Sequence, residues 1–516
     1  MNGAAGTGRE PDPGPEASGE WRALDRRTAL VTAAAGARRR RPAAPCRAFL
    51  GLSGPMGTAG ALLLVAAGFL LLAAGGGAVE YVRCLRTRYR VGEERVELRS
   101  RLPGLERRRS LPRERVRSVD LTAHPLLRLL GLVKVRIGTG ENTGGESALE
   151  LHAVTRAEGE RLRRELLRHA PAVGEGARSD GVLAALDPSW IRYAPASFAA
   201  PLLGGAAIGG VMQVSEWLGK RDEVVERAGD LLRDVPVVWT VLVLAAAALL
   251  TGAVGALAVW TEMWWGFRLE REPGGTLRVR RGLLTARSLS VEERRLRGVE
   301  LVEPLGVRLL GAARVDAVAT GLARGDDDGH GTHRSLLPAV PRAVAEGAAA
   351  SVLREPAPPT GAPLTAHPRA ARTRRLRRAV GAALLPAAVL AALGAVLGAR
   401  APLYAAGATA LVLLPPAVLL ALDAYRSLGH GLAGDYLVVR SGTVRRSTVA
   451  LRRGGVIGWT VGQSYLQRRA GLLTLTATTA AGDGAYEVRD ADGDEGLRFA
   501  AAAVPGLLEP FLEPAE

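Results

Sequence analysis

Residues 326–333 hold the densest group of side chains that could carry chemistry. Their sequence, Asp-Asp-Asp-Gly-His-Gly-Thr-His, places three carboxylates and two imidazoles within eight residues, and both groups are ligands for divalent ions. The spacing matches no established metal-binding motif, and the stretch falls at a hairpin loop of the internal repeat described below. We therefore interpret it as a solvated loop and predict no metal site. A catalytic role for His330 and His333 is the less favoured alternative.

The rest of the sequence contains no motif that predicts catalysis. Residues 138–144 contain a fragment of a phosphate-binding loop, but no Lys follows and they do not join a strand to a helix. Metalloprotease, nucleophile-elbow and paired-cysteine patterns are absent from the sequence. Cys46 and Cys84 fit neither a disulfide framework nor a metal site. We predict a protein that is not an enzyme and that needs no cofactor.

The chain is strongly basic, with a formal net charge of +17. Such a charge is typical of nucleic-acid binding when Lys and Arg cluster on a phosphate-facing surface. Here the arginine clusters lie beside apolar stretches, which is the pattern of the cytoplasmic flanks of membrane spans. We therefore favour a membrane protein and predict no nucleic-acid partner.

Five stretches lack charged side chains and are long enough to cross a bilayer, which takes about 20 apolar residues. They cover residues 56–79, 194–214, 235–260, 379–399 and 401–422. Near the ends of the third stretch lie Trp239, Trp260, Trp264 and Trp265. An interfacial aromatic belt would require tryptophans at these positions. The sequence thus predicts a multi-pass membrane protein.

Charge asymmetry predicts the orientation of these spans. Six arginines and no acidic residue lie between residues 366 and 378, whereas residues 215–234 hold four basic and six acidic residues. Positive segments stay in the cytoplasm, so we predict cytoplasmic polar segments, with spans two and three as one helical hairpin and spans four and five as another. The basic N-terminal region, residues 1–41, should then be cytoplasmic and disordered. Residues 42–82 hold either one crossing or two, and the choice between five and six spans stays open.

Comparison of the chain with itself reveals a repeated polar segment. The sequence Arg-Leu-Leu-Gly occurs at Arg128 and again at Arg308, 180 residues later. A more divergent third copy places an arginine and a glycine 340 residues beyond the first. The signature residues of the three copies are Arg128, Leu129, Leu130, Gly131, Arg308, Leu309, Leu310, Gly311, Arg468 and Gly471. Each copy follows an apolar stretch, so the repeating unit is a membrane anchor with a soluble module.

The three copies predict modules at residues 83–175, 264–356 and 426–514. Within them apolar and polar residues alternate with period two, which is typical of strands with one buried face. Residues 155–158 then form a capping-box pattern ahead of a helix. We therefore predict a mixed fold of membrane α-helical spans plus β, in which each module is a small β-barrel or sandwich capped by a C-terminal helix and alternates with transmembrane helices. The signature leucines should pack inward, while Gly131 allows a tight turn.

These motifs carry a resemblance to a known family. Tyr89-Arg-Val, Arg115-Val-Arg-Ser-Val and Leu126-Leu-Arg-Leu-Leu-Gly-Leu, in that order, resemble the bacterial pleckstrin-homology (PH) domain family of YdbT-like membrane proteins. The resemblance implies a PH-like fold of two near-orthogonal sheets closed by a helix, with no known catalytic activity. It also implies a link to envelope stress or antimicrobial-peptide resistance, and a smaller membrane protein with one such module as partner. The chain departs from the pattern after Arg101, where the turn glycine is displaced to Gly104.

A dense run of arginines in the first module is a candidate surface for anionic lipid headgroups. It contains Arg107, Arg108, Arg109, Arg113, Arg115 and Arg117. In a strand, alternate members would project from one face, and each is worth about 1 kcal/mol near an anionic membrane surface. The alternative, which we favour, is a solvated positive face that follows the positive-inside rule.

We predict a non-enzymatic protein of the bacterial inner membrane that presents cytoplasmic PH-like modules for protein or lipid interaction, in scaffolding or assembly. Its partners would be the lipid bilayer and either the smaller PH-module protein or a second copy of itself. The alternative is a transporter or exporter of a peptide or lipid, although the spans hold no ionisable group that would line a path. Two Gly-x-x-x-Gly pairs, at Gly205 and at Gly394, instead predict close helix packing.

Overall fold

A computed structural model shows the fold of most of the chain. It describes residues 21–23, 86–92, 94–102, 105–116, 118–138, 148–167, 181–196, 199–233, 235–321 and 334–511. The chain forms two compact units, which are residues 1–173 with 285–287 and residues 174–284 with 288–516. The predicted span at 56–79, the glycine-rich loop after residue 138 and the Asp/His loop at 326–333 lie outside the described residues.

The first unit contains two antiparallel sheets and a closing helix. Its elements are β1 (Arg22–Ala23), β2 (Thr87–Val91), β3 (Arg95–Leu102), β4 (Leu105–Pro112), β5 (Ser118–Ala123), α1 (Pro125–Leu129), β6 (Leu132–Gly138), β7 (Ala148–Thr155) and α2 (Arg156–Leu167). One sheet has the order β1-β2-β3-β4, and β6 lies between β5 and β7 in the other. The backbone N–H of Glu158 donates to Thr155 Oγ1 at 3.3 Å, and Leu162 and Leu166 are buried. The predicted start and buried face of α2 are therefore confirmed.

The second unit begins with helices and continues into strands. Its first part contains β8 (Gly181–Ala185), α3 (Ala199–Trp217), α4 (Arg221–Leu232), α5 (Val237–Trp264), β9 (Arg268–Glu272), β10 (Thr276–Arg281), β11 (Ala286–Glu292), β12 (Leu296–Pro304), α6 (Leu305–Leu309), β13 (Ala312–Ala319), β14 (Ser335–Pro341) and α7 (Arg342–Leu353). Its second part contains α8 (Arg369–Leu397), α9 (Arg400–Arg426), β15 (Gly429–Ala433), β16 (Tyr436–Ser441), β17 (Arg445–Arg452), β18 (Val456–Gly462), α10 (Tyr465–Arg468), β19 (Leu472–Thr479), β20 (Ala485–Asp492) and α11 (Gly493–Ala503).

Three stretches of the chain share one order of elements. We call them the first segment (87–167), the middle segment (268–353) and the last segment (429–503). Each has three strands, a fourth strand, a short helix, two more strands and a longer closing helix. The combination of β-sheet domains with long apolar helices agrees with the predicted mixed fold.

The middle and last segments share a sheet in the second unit. The order of strands in this sheet is β14-β13-β12-β17-β16-β15. Its centre is the antiparallel pair of β12 and β17, in which Glu300 lies opposite Val449 and Leu301 opposite Thr448. The fourth strand of one segment therefore pairs with the third strand of the next. The remaining strands of the last segment form a separate sheet with the order β18-β19-β20.

A β-bulge recurs at one place in all three segments. Two residues of the sixth strand lie opposite a single residue of the fifth, because Val133 pairs with Val154 while Val135 pairs with Leu151. The same register shift falls at residues 313–315 against 337–340 and at residues 473–475 against 488–491. A bulge bends its strand and redirects side chains, so its recurrence ties the three segments together beyond their sequence motifs.

The signature glycines make the same turn three times. Gly131, Gly311 and Gly471 have φ of +68°, +67° and +64°, a left-handed conformation that favours glycine. Each N–H donates to the carbonyl of the arginine three residues earlier, at 2.9–3.2 Å. The predicted turn is present in every segment.

The predicted inward packing of the signature leucines is wrong. Exposed side chains are found at Leu129, Leu130, Leu309 and Leu310. The positions that fill the interior are their neighbours Leu127, Leu132 and Val307. The short helices α1 and α6 are each only five residues long. One face of each helix packs on its sheet, and the residues at the end of the helix point away from the sheet.

Three helices are long and apolar enough to cross a membrane within the part of the chain that the structure describes. They are α5, α8 and α9, with spans of 27 to 29 residues. The predicted span at 194–214 forms α3, which is 19 residues long but too polar at its end to join that group. Trp264 is buried against Phe267, so it belongs to the core, while Trp239 and Trp265 are exposed.

Helix α3 packs on α5 at two glycines that the sequence analysis did not select. A Cβ atom at Gly204 would lie 1.9 Å from the carbonyl oxygen of Ala248, and one at Gly252 would lie 1.9 Å from that of Ala200. Gly205 and Gly209 face open space, so their predicted role in packing is wrong. Of the second predicted pair, Gly394 packs closely on Leu403 of α9, whereas Gly398 ends α8 and has open space around it.

Candidate functional site

A cleft opens where the helical hairpin α8–α9 meets the last segment. Its volume is about 930 Å³. The start of α8, the last turns of α9 and strand β20 line it. Its lining combines arginines of α8 and β20 with alanines, leucines and a proline of the two helices.

The sequence of α8 explains this combination. Six arginines fall within its first ten residues, and alanine and leucine dominate from Ala379 onward. At 3.6 residues per turn, positions four and eight apart lie on one face, so Arg374, Arg378 and Ala382 line the cleft together. One helix face therefore changes from cationic to apolar along its length.

Strand β20 contributes a buried carboxylate through its bulge. Arg489 and Asp490 are the two residues opposite Thr474. Asp490 has a φ of +60°, which aspartate tolerates better than most residues, and its side chain is 3% exposed. The equivalent positions of the other bulges hold Ala153 and Ala339, so the carboxylate is particular to the last segment.

Asp490 joins the hairpin to the sheet. Its carboxylate accepts a hydrogen bond from the Arg374 guanidinium and lies 3.4 Å from Arg375 Nε. Gln467 Nε2 donates to it at 3.0 Å. A buried carboxylate needs such partners, because an unpaired charge in a protein interior is strongly unfavourable. The start of α8 is thus held on the last sheet by charge as well as by packing.

The cleft keeps a positive charge after these pairs are counted. Four arginines line it, Arg374, Arg375, Arg378 and Arg489, against the two carboxylates of Glu487 and Asp490, which leaves a formal charge of +2. Arg378 is exposed and makes no ion pair with any residue in the described ranges. A cationic group beside an apolar wall can bind a phosphate that carries a hydrocarbon chain.

Two buried histidines add to the contact between the hairpin α8–α9 and the last segment. His367 Nδ1 donates to the carbonyl of Asp490 at 3.0 Å, because a carbonyl oxygen can only accept. The bare His367 Nε2 then accepts from His430 Nδ1 at 3.1 Å. Burial lowers the pKa of both side chains to about 4, so both are neutral at pH 7. Their burial gives both histidines a role in packing.

Of the six arginines of the candidate headgroup surface, the structure describes the side chains of Arg108, Arg109 and Arg113, and their burial differs. Arg108 is exposed and Arg109 is half-buried. Arg113 is buried and donates to the carbonyls of Gly92 at 2.9 Å and of Glu165 at 2.7 Å, which gives it a structural role inside the first unit. The side chains of Arg107 and Arg115, and all of Arg117, lie outside the described residues.

The signature arginines differ in their surroundings. Arg308 lies 2.8 Å from Asp423 near the end of α9, and Arg446 of β17 lies 3.5 Å from the same carboxylate. Asp423 therefore ties α9 to both the middle and the last segment. Arg128 and Arg468 are exposed.

Sequence reasoning did not select Asp490, Asp423 or the cleft. Each joins residues more than 100 positions apart, as Arg374 and Asp490 show, and no local pattern encodes such a pairing. The only available signal was the run of six arginines at 369–378, which we interpreted as a marker of orientation.

Comparison with known families finds one family model at two places in the chain. A family model described as Bacterial PH domain matches the chain twice, at residues 48–170 and 380–502. The second match begins inside α8 and ends within α11, so the matched unit contains a helical anchor together with the strands. Two stretches of the chain thus match bacterial PH domains. The middle segment lies outside both matches, and neither a curated protein nor a solved structure matches the chain.

Proposed function

We propose that this is a non-enzymatic protein of the bacterial inner membrane that holds three cytoplasmic PH-like modules at the membrane surface. There the modules bind protein or lipid partners in scaffolding or assembly. The middle segment is the third module in this proposal, since it shares the order of elements, the bulge and the glycine turn of the other two. The resemblance to YdbT-like proteins extends the role to envelope defence.

The observation that carries this proposal is the fixed joint between anchor and module. Asp490 holds the start of α8, and Asp423 at the end of α9 holds the two modules beside it. A rigid joint presents a module at a set distance from the bilayer, which suits a scaffold. A flexible linker would leave the modules free to diffuse.

The exposed leucines support a position of the middle module against the bilayer. Leu309 and Leu310 are 77% and 53% exposed, next to Arg308 and its ion pair with the end of an apolar helix. Exposed apolar side chains of this size are unfavourable in water. At the membrane interface they would be covered by lipid.

Fractionation and mild purification test the proposal. The full chain should stay with membranes after high-salt washing, because apolar helices and not surface charge retain it. Purified in a gentle detergent, it should bring a membrane partner or form a homo-oligomer. A chain released by salt, or a strictly solitary monomer, would contradict the proposal.

The cleft supports anionic lipid as a ligand class within this function. Basic pockets between membrane helices on the cytoplasmic side favour anionic headgroups, and the apolar wall of α8 and α9 suits an acyl chain. Native mass spectrometry of the delipidated protein should show binding of phosphatidylglycerol in preference to phosphatidylcholine. Arg378→Ala should weaken phosphatidylglycerol binding about fivefold, which corresponds to about 1 kcal/mol.

Arg377→Ala is the matched control. Arg377 is also exposed on α8 but does not line the cleft, so its loss should change binding little. Equal effects of the two substitutions would assign the preference to the general charge of α8. Competition by free glycerol phosphate at the same concentration would assign it to the anion alone.

A further inference from the structure

Strand β18 is an edge strand that lacks the charges and prolines that usually prevent an edge strand from pairing with another chain. It is the first strand in the order β18-β19-β20, and its sequence, Val-Ile-Gly-Trp-Thr-Val-Gly, holds neither a charge nor a proline. Ile457 and Val461 are 62% and 46% exposed. Edge strands usually carry charges, prolines or covers that prevent pairing with another chain. An uncharged, exposed edge is therefore a candidate interface.

The chain itself shows what such an edge binds. β18 is the fourth strand of the last segment, and its counterpart in the middle segment is β12, 160 residues earlier. β12 pairs with β17, which is the third strand of the next segment. In the last segment no next segment follows within the described residues, and the same edge is open.

The other end of the series is open in the complementary sense. β4 is the third strand of the first segment and lies 340 residues before β17. It is the last strand in the order β1-β2-β3-β4. Within the described residues, one copy of the chain thus carries a fourth strand with one unpaired edge, and also a third strand with one unpaired edge of the kind that a fourth strand pairs with.

We infer that two copies of the chain associate head to tail, with β18 of one copy paired in antiparallel fashion to β4 of the other. The β12–β17 pair sets the register. In that pair Glu300 lies opposite Val449 and Leu301 opposite Thr448. Adding 160 to the β12 residues gives their counterparts in β18, and subtracting 340 from the β17 residues gives their counterparts in β4. Thr460 is therefore expected opposite Arg109, and Val461 opposite Arg108. This contact is of the heterologous type, which closes into rings or extends into filaments.

The inference rests on the proposed function, because all modules must face one side of the membrane for two copies to meet in this way. The membrane also confines both copies to a plane, which raises their effective concentration. A strand pair of seven residues then needs less affinity than it would in solution.

Charge substitution at the predicted register tests the contact. Val461→Lys would place a like charge opposite Arg108, and Val461→Glu an opposite one; directly opposed like charges destabilise a strand pair and opposed unlike charges stabilise it. We expect association of fluorescently labelled copies in nanodiscs to fall about fivefold for Val461→Lys and to rise for Val461→Glu. Adding Arg108→Glu to Val461→Lys should restore it. Leu466→Lys, an exposed position on α10, is the matched control and should leave association unchanged.

Disulfide trapping gives a second readout that does not depend on affinity. In a background with Cys46→Ser and Cys84→Ser, copies with Thr460→Cys and copies with Arg109→Cys are expressed together, and isolated membranes are treated with a mild oxidant such as copper phenanthroline. These membranes should show the cross-link, and membranes that hold either copy alone should not. Opposed residues of an antiparallel pair lie about 4.5–5.5 Å apart at Cα, which suits a disulfide. Thr460→Cys with Ser110→Cys should fail, because the two side chains lie on opposite faces.

The outcomes separate this inference from the proposed function. Equal effects of Val461→Lys and Val461→Glu, or cross-links between two copies of Thr460→Cys, would overturn the β18–β4 pair while the protein stays in the membrane. Release of the chain from membranes would instead overturn the proposed function itself.

Discussion

Asp490 shows how a single buried carboxylate can join an apolar helix to a sheet. It accepts hydrogen bonds from Arg374 and Gln467 and lies beside Arg375. Removal of one partner from a buried ion pair leaves the others uncompensated, which costs more than the pair itself contributes. The residue is therefore more important for the joint than its place in a surface strand suggests.

Asp490→Ala should lower the free energy of unfolding by about 3 kcal/mol, because two guanidinium groups lose their shared partner. The control is Glu487→Ala, whose pair with Arg489 is exposed and should contribute about 0–1 kcal/mol. Thermal unfolding of the purified protein in detergent measures both. Equal midpoints for the two variants would contradict the assignment of Asp490 as the joint.

The buried histidine pair predicts a pH dependence of stability. In the folded protein the pKa of His367 and of His430 is lowered to about 4, against an ordinary value of about 6.5. Between pH 6.5 and pH 4 the two histidines are protonated in the unfolded chain but stay neutral in the folded chain. Stability is then full above pH 6.5 and falls as the pH decreases from 6.5 to 4.

We expect a loss on the order of 4 kcal/mol at pH 5 relative to pH 8 from this pair, about 2 kcal/mol for each histidine. The variant His367→Gln with His430→Phe should be less stable at pH 8 but should lose less on acidification. Unfolding midpoints across this range measure the difference. Parallel pH profiles for the two proteins would show that other groups cause the acid sensitivity.

Among the elements, the α3–α5 pair depends on close approach of two backbones. Gly204→Ala would bring a methyl group within 1.9 Å of the Ala248 carbonyl oxygen, so the helices would have to separate. Overpacking of this kind costs about 1–3 kcal/mol. Gly205→Ala is the adjacent control, with open space around it. A cysteine cross-link between the helices, or thermal unfolding, should respond to the first substitution alone.

The recurrent bulge shows that equal elements can serve different purposes. Its second residue is an alanine in the first and middle segments and Asp490 in the last. The bulge itself is part of the shared fold. The carboxylate is an addition in the last segment, where Arg374 and Arg375 of α8 pair with it.

For the whole molecule, the charge pattern predicts where each polar segment lies. Reporters fused after residues 175, 360 and 516 should be active in the cytoplasm, and one after residue 225 should be active outside. The last result depends on α3, whose 19 residues span about 28 Å at 1.5 Å per residue, close to the thickness of the hydrocarbon core. A cytoplasmic reporter at residue 225 would show that α3 and α4 do not cross.

The sequence by itself determined the class of this protein and the elements of its repeat. Charge-free stretches predict α5, α8 and α9 because burial of a charge in lipid is so unfavourable. Alternating residues and the turns at Gly131 and Gly311 predict strands because these signals are local. The free-energy cost of a left-handed turn or of an exposed apolar face depends on the segment itself and not on its position in the tertiary structure.

Only the tertiary structure decided what these elements do together. The β12–β17 pair, the approach of Gly204 to Ala248 and the joint at Asp490 all connect residues that are distant along the chain. The sequence predicts Arg308 only as part of a turn. In the fold its side chain forms an ion pair with Asp423. Such contacts depend on geometry that forms after the local elements exist, so no spacing in the sequence can record them.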